Sequence, residues 1–203
     1  MSSKTCLLDP YLLQVQNLSG GPGAEAVFKN LSFSWPAGLH WVCGDEGTGK
    51  TSLLRILGGD LSPLSGTLQI SSGDVFWADL SHAKHDHLTV QACWDSLQSQ
   101  YPRWNTELLE DLAQALDMQR HRHKQLDMLS TGSRRKVMLI AALASGATVT
   151  LLDQPFASLD SASIRVIKEF LTEAAEAVNR AWVVADYEVP ENFSMTHLLK
   201  LEP

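Results

Sequence analysis

The sequence predicts an α/β fold with a parallel sheet whose carboxyl edge carries a ligand. Two observations point there. Gly44-Asp45-Glu46-Gly47-Thr48-Gly49-Lys50-Thr51 fits G-x-x-x-x-G-K-[ST], between a strand-like run, Leu39–Cys43, and a helix-like run, Thr51–Leu57. Further on, Thr148-Val149-Thr150-Leu151-Leu152-Asp153 is apolar and β-branched and ends in an acid, which reads as a buried parallel strand. Both strands end in chemistry-bearing residues, and open α/β sheets bind ligands at the carboxyl ends of their strands.

Along the chain, short strand patterns occupy Leu12–Gln16, Leu31–Trp35 and Leu68–Ser71, with turns at Gly20–Gly23 and Pro36–Gly38. Helical patterns follow at Leu88–Gln98, Thr106–Leu116 and Gly132–Leu143, with Pro102 and Gly146 as breakers. Leu108, Leu112 and Leu116 share one helical face, widened by Leu109. Ser161–Val178 is predicted as a helix striped by Ile164, Ile167, Leu171 and Ala174, and Trp182–Val184 as a strand.

Length and composition agree with one globular domain: 203 residues, 44% hydrophobic and 19% charged. The apolar run Val137–Ala144 is far shorter than a membrane span. Met1–Cys6 lacks the basic-then-apolar pattern of a signal peptide. A net charge of −7 argues against nucleic acid as a partner, which needs a basic face. Cys6, Cys43 and Cys93 show neither metal spacing nor even pairing, so a reducing cytosol is expected, with Cys43 a small buried hydrophobe.

The chemistry of the Gly-rich loop is specific. Its glycines let several N–H groups turn inward on an anion, and the following helix adds its positive end. Gly44, Asp45, Glu46, Gly47, Thr48, Gly49, Lys50, Thr51 and Ser52 are the candidate nucleotide-binding residues. Lys50 would reach the β- and γ-phosphates of a nucleoside triphosphate in this motif, and the Thr51 hydroxyl would ligate Mg²⁺. Asp153 is the second candidate Mg²⁺ ligand. Asp45 and Glu46 put negative charge near an anionic ligand, so their side chains are expected in solvent.

Between these segments lies Leu129-Ser130-Thr131-Gly132-Ser133, where Ser130 or Thr131 suits a helix N-cap. Lys50 and Ser130 are 80 residues apart, Gly132 and Asp153 21, and Asp153 and Asp160 7. In this order and spacing the motifs resemble those of the ATP-binding cassette (ABC) ATPases, from about Leu12 to about Leu199. Leu129–Ser133 is similar to the family's Leu-Ser-Gly-Gly-Gln signature with two replacements, Ser158-Leu159-Asp160 to its D-loop, and Leu61–Leu68 to the turn and strand after its P-loop helix.

The resemblance implies one cassette over residues 1–203: a P-loop core, an antiparallel β subdomain, and a helical subdomain inserted at about 82–136. It implies an ATPase subunit of a transporter that dimerises, with the same or another cassette, around two Mg-ATP. Each ATP would lie on one P-loop and against the other chain's Ser130, Thr131 and Gly132. The pore would belong to an integral-membrane subunit, placing this chain on the cytoplasmic face of the cell membrane. Length and the run Asp153–Asp160 are similar to those of the small haem-exporter ATPases of bacterial cytochrome c biogenesis.

Four positions depart from the family pattern. Gln154 stands where active members have the Glu that polarises the attacking water, and Gln cannot accept its proton. Asp186 occupies the place of the switch His. No Gln falls between Gln69 and Gln91, and Asp79 or a neighbour replaces it. No aromatic residue lies at Leu18–Gly23, where adenine stacks, although Tyr11 and Phe28 flank the gap. Gln154 fits either an ATP-trapping substitution or natural divergence; Asp186 and the missing Gln mark a naturally divergent member, whatever the origin of Gln154. Lys50, Asp153, Gln154 and Asp186 are thus the candidate catalytic positions, with slow turnover expected. Two alternatives are a weak or regulatory cassette paired with a competent partner, and a soluble ABC protein outside transport.

The histidines His82, His85 and His87 lack a fourth defined ligand and read as solvated loop residues. Trp77 and Trp94 are expected to bracket a hydrophobic partner groove.

Overall fold

The computed structural model describes residues 11–71, 73–79, 85–176, 178–190 and 193–202. Three strands, β1 (Leu13–Gly20), β2 (Phe28–Trp35) and β4 (Ser65–Ile70), form an antiparallel sheet in the order β2-β1-β4. Five others, β3 (Gly38–Cys43), β5 (Val75–Phe76), β6 (Val149–Asp153), β7 (Ala181–Asp186) and β8 (His197–Lys200), form a parallel sheet in the order β5-β6-β7-β3-β8.

The parallel sheet follows from its apolar strands. Residues alternate between two faces, and both faces are covered. Leu39, Trp41, Leu152, Trp182 and Val184 pack with three helices, α2 (Val90–Gln98), α3 (Thr106–Ala115) and α4 (Thr131–Ala144), and with Ile167 and Leu171 of α5 (Ser161–Ala174). Val42, Leu151, Val183 and Ala185 pack instead on α1 (Lys50–Leu57) and on Leu13, Val15 and Leu18 of β1. α2, α3 and α4 all lie between β5 and β6 in the chain.

Several elements differ from expectation. β1 runs four residues past Gln16, through a register shift at Asn17, whose φ of 49° breaks the alternation that sequence reading depends on. β2 starts at Phe28 for the same reason, since Asn30 has φ 56°. β5 and β8 have no clear pattern because they are short and lie at the sheet's edges. α5 stops at Ala174, and Val178, 91% exposed, has no apolar surface to extend it. Cys43 is half-buried rather than buried, because it ends its strand.

Trp94 is a core residue, 1% exposed, with its indole N–H donating to the Val137 carbonyl at 3.0 Å. It therefore offers no surface to a partner, and among the described residues it does not share with Trp77 the lining of a groove. His82 lies outside the described residues, and His87 is exposed.

His40 on β3 was not anticipated as core. It is fully buried, stacked between Trp35 at 4.8 Å and His197 at 5.3 Å between ring centroids. Its Nε2–H donates to the Pro36 carbonyl at 2.9 Å. Burial lowers its pKa from the usual 6.5 to about 4, opposed by the Pro36 bond and reinforced by His197. The unfolded chain therefore takes up this proton at a higher pH than the folded one. Stability is unaffected above about pH 6.5 and falls as pH drops toward 4, by about 3 kcal/mol for this group. Urea unfolding at pH 7, 5.5 and 4.5 is expected to show this loss, and His40→Phe is expected to flatten it. An equal slope in both proteins would remove His40 from the account.

Candidate functional site

The site begins where β3 ends. Gly44 has φ 155°, and a Cβ there would stand 2.5 Å from the Leu201 carbonyl oxygen and 2.8 Å from Thr48 Oγ1. Gly49 has φ 95° and would meet the Phe28 ring at 2.9 Å. Only glycine fits either position. Thr48 closes the loop by donating its hydroxyl to the Asp45 carbonyl at 2.9 Å. Lys50 is buried, and its Nζ donates to the carbonyls of Gly44 at 2.6 Å and Asp45 at 2.7 Å. The Tyr187 ring covers it at 4.6 Å from the ring centroid, a cation–π contact. Among the described residues no side chain caps α1, so its first N–H groups are offered to the loop's interior. The side chains of Asp45 and Glu46 are exposed, as the charge argument requires. Ser52, in the first turn of α1, is buried.

The sheet order brings two more strand ends to this loop. β7 lies between β6 and β3, with Asp153 opposite Ala185 and Cys43 opposite Asp186. Thr51 Oγ1 donates to Asp153 Oδ2 at 2.7 Å across 102 residues of sequence. Asp153 Oδ1 is buried with no hydrogen-bond partner among the described residues. A buried carboxylate oxygen left over beside a hydroxyl is a donor set that fits a hard divalent cation such as Mg²⁺. Burial raises the Asp153 pKa, while Thr51, Arg135 and Lys50 pull it down. Burial also raises that of Asp186, whose carboxylate accepts the Tyr187 N–H at 2.8 Å.

A cleft of about 310 Å³ opens over the loop, walled by Pro22, Val27, Lys50, Thr51, Gln154 and Tyr187 among others. Gln154 reaches it from an unusual backbone, with φ 45°. Its N–H donates to the Ala185 carbonyl at 2.7 Å, and its carbonyl accepts the Ala157 N–H at 3.1 Å and the Arg135 guanidinium.

Ser130, Thr131 and Gly132 do not line this cleft. Ser130 caps α4, its hydroxyl accepting the Ser133 N–H at 3.2 Å. Thr131 borders an adjoining cavity of about 380 Å³ with Thr51, Asp79, Arg135 and Asp153. Gly132 packs on the turn after β6, and a Cβ there would stand 2.3 Å from the Ser158 carbonyl oxygen. In that turn, Asp160 caps α5 and pairs with Lys136 at 2.8 Å, which with Ser163 holds its carboxyl well below the usual range.

Arg135, Tyr187, Pro22 and Val27 escaped sequence reading. Tyr187 could have been found by asking which aromatic residue follows the last buried strand. No local signal marks Arg135. Phe28 belongs to the core, at 4% exposed, and Tyr11 is more than a third exposed.

The profile of the family described as ABC transporter matches residues 28–157. A cytochrome c biogenesis ATP-binding export protein, CcmA, of Nitrosococcus oceani is 33% identical over 177 residues, 81% of each chain. The protein of the same name from Haemophilus influenzae is 28% identical over 213 aligned positions, 96% of each chain. Among solved structures, an ATP-binding subunit of an ABC transporter superposes with a TM-score of 0.74 at 20% identity, over 87% of this chain and 79% of the other.

Proposed function

The chain belongs to the ABC transporter family of ATP-binding proteins, and from that premise we propose that it is the Mg-ATP-dependent ATPase subunit of an exporter. The observation that carries the reading is the convergence of Lys50, Thr51 and the unpartnered Asp153 Oδ1 at one edge of the sheet. The single cassette spans residues 1–203, with about 82–136 as its helical insertion. The loop's N–H groups and Lys50 bind the phosphates, and Thr51 and Asp153 hold Mg²⁺. When bound, that ion neutralises charge on the β- and γ-phosphate oxygens.

Two chains pair around two nucleotides. The position of Ser130, Thr131 and Gly132 at a helix start, outside their own chain's cleft, supports their serving the partner's nucleotide. Among the described residues no helix is long and apolar enough to cross a membrane, and the transporter relatives support a separate membrane subunit as the pore. The relatives named for cytochrome c biogenesis export make that the exporter class we favour, with this chain at the cytoplasmic face.

Gln154 orients water without accepting its proton, and Asp186 places a carboxylate where a donor would help. Turnover is therefore slow. These two residues also favour a second reading, a weak or regulatory cassette whose partner supplies catalysis. Mg-ATP hydrolysis and light scattering on the purified chain test both. ATP-driven dimers with slow hydrolysis are expected. Failure to bind Mg-ATP would sink the first reading, and turnover at ordinary transporter rates by homodimers would sink the second.

A further inference from the structure

Three contacts tie the first turns of α4 to the segment after β6. The Arg135 guanidinium donates to the Gln154 carbonyl. Lys136 pairs with Asp160 at 2.8 Å. Gly132 lies against the Ser158 carbonyl with no room for a side chain. The receiving segment is conformationally demanding, since Gln154 and Ser158 have φ of 45° and 62°. Non-glycine residues stay in that region only where their surroundings over-determine them.

For Gln154 those surroundings are identifiable. Its N–H is held by the neighbouring strand end, at Ala185, and its carbonyl by its own turn, through Ala157. Arg135 makes the third contact, and it comes from the helix that starts with Ser130, Thr131 and Gly132. Guanidinium suits the task. It is planar, permanently charged and carries several donors, so it can take a carbonyl already bonded to an amide. The acids Asp153 and Asp186 lie within its electrostatic reach, which favours its half-buried place.

We propose that Arg135 is a positioning residue that locks the Gln154 peptide in its left-handed turn and so couples the signature helix to the side chain facing the nucleotide. This rests on the nucleotide site proposed above. The other two ties remain when Arg135 is changed, so the peptide is released while α4 keeps its place.

Hydrogen exchange followed by mass spectrometry, on the full chain and its Arg135→Met and Arg135→Lys variants, with and without Mg-ATP, tests this. Without nucleotide, Arg135→Met is expected to speed exchange at 154–157 about 10- to 150-fold, the ~1.5–3 kcal/mol of one charged hydrogen bond. Exchange in β3 and β6 should stay unchanged. With Mg-ATP, nucleotide affinity should hold within about two-fold by the same reckoning, while protection at 154–157 is lost and Arg135→Lys restores part of it. Unchanged exchange at 154–157 in Arg135→Met would overturn the proposal. So would a rise spread over the whole chain that Lys does not reverse, because that marks a packing role. If the unaltered chain binds no Mg-ATP, the nucleotide reading fails, and the nucleotide-free comparison still judges the lock.

Discussion

Gln154→Glu is expected to raise the rate of Mg-ATP hydrolysis by about a hundred- to ten-thousand-fold, the usual worth of a general base. The substitution changes one amide to a carboxylate of nearly the same shape. It alters no backbone contact, because the Ala185, Ala157 and Arg135 contacts all involve the residue's peptide groups. The new side chain therefore enters the cleft where the amide stood, able to accept the proton of the attacking water. Nucleotide affinity should be nearly unchanged, because the loop amides and Lys50 dominate binding. Steady-state hydrolysis of the two chains, with affinities measured alongside, checks this. Equal rates at equal affinities would mean that the barrier lies elsewhere, and Asp186 would be the first place to look.

Lys50→Ala is expected to weaken nucleotide binding about 10- to 150-fold, from the loss of a charged hydrogen bond worth ~1.5–3 kcal/mol. The effect has two parts. The cation that would meet the phosphates is removed, and the carbonyls of Gly44 and Asp45 lose the ammonium that draws them inward. The loop loses its curl as well as its charge, so a lowered melting temperature should accompany the weaker binding. Titration with a fluorescent ATP analogue measures the first effect and thermal unfolding the second. Undiminished affinity in the variant would rule out this loop as the phosphate site.

The loop, the three core strands and the α4 cap were all legible in the sequence, because each is written in neighbouring residues. G-x-x-x-x-G-K-T is read within eight positions, and its glycines stand at φ values that other residues rarely adopt. Strands β3, β6 and β7 read as continuous apolar runs because both faces of the parallel sheet are covered. β1 and β2 were only half legible, since Asn17 and Asn30 interrupt their alternation at left-handed kinks. Trp94 misled, because aromatic side chains serve cores and interfaces alike. Its partner, the Val137 carbonyl, lies 43 residues away.

By itself, then, the sequence determined the Gly-rich loop, the acid at the tip of β6 and a helix start at Ser130 or Thr131, which the structure resolves to Ser130. Periodicity, capping and turn chemistry act over a few residues and leave a local pattern. Only the tertiary structure decided that Thr51 meets Asp153, that Tyr187 covers Lys50 and that Arg135 reaches the Gln154 carbonyl. Those contacts depend on the strand order β5-β6-β7-β3-β8, which sets distant residues side by side. That order comes from burying both faces of the sheet at once, a property of the whole chain that no short segment carries.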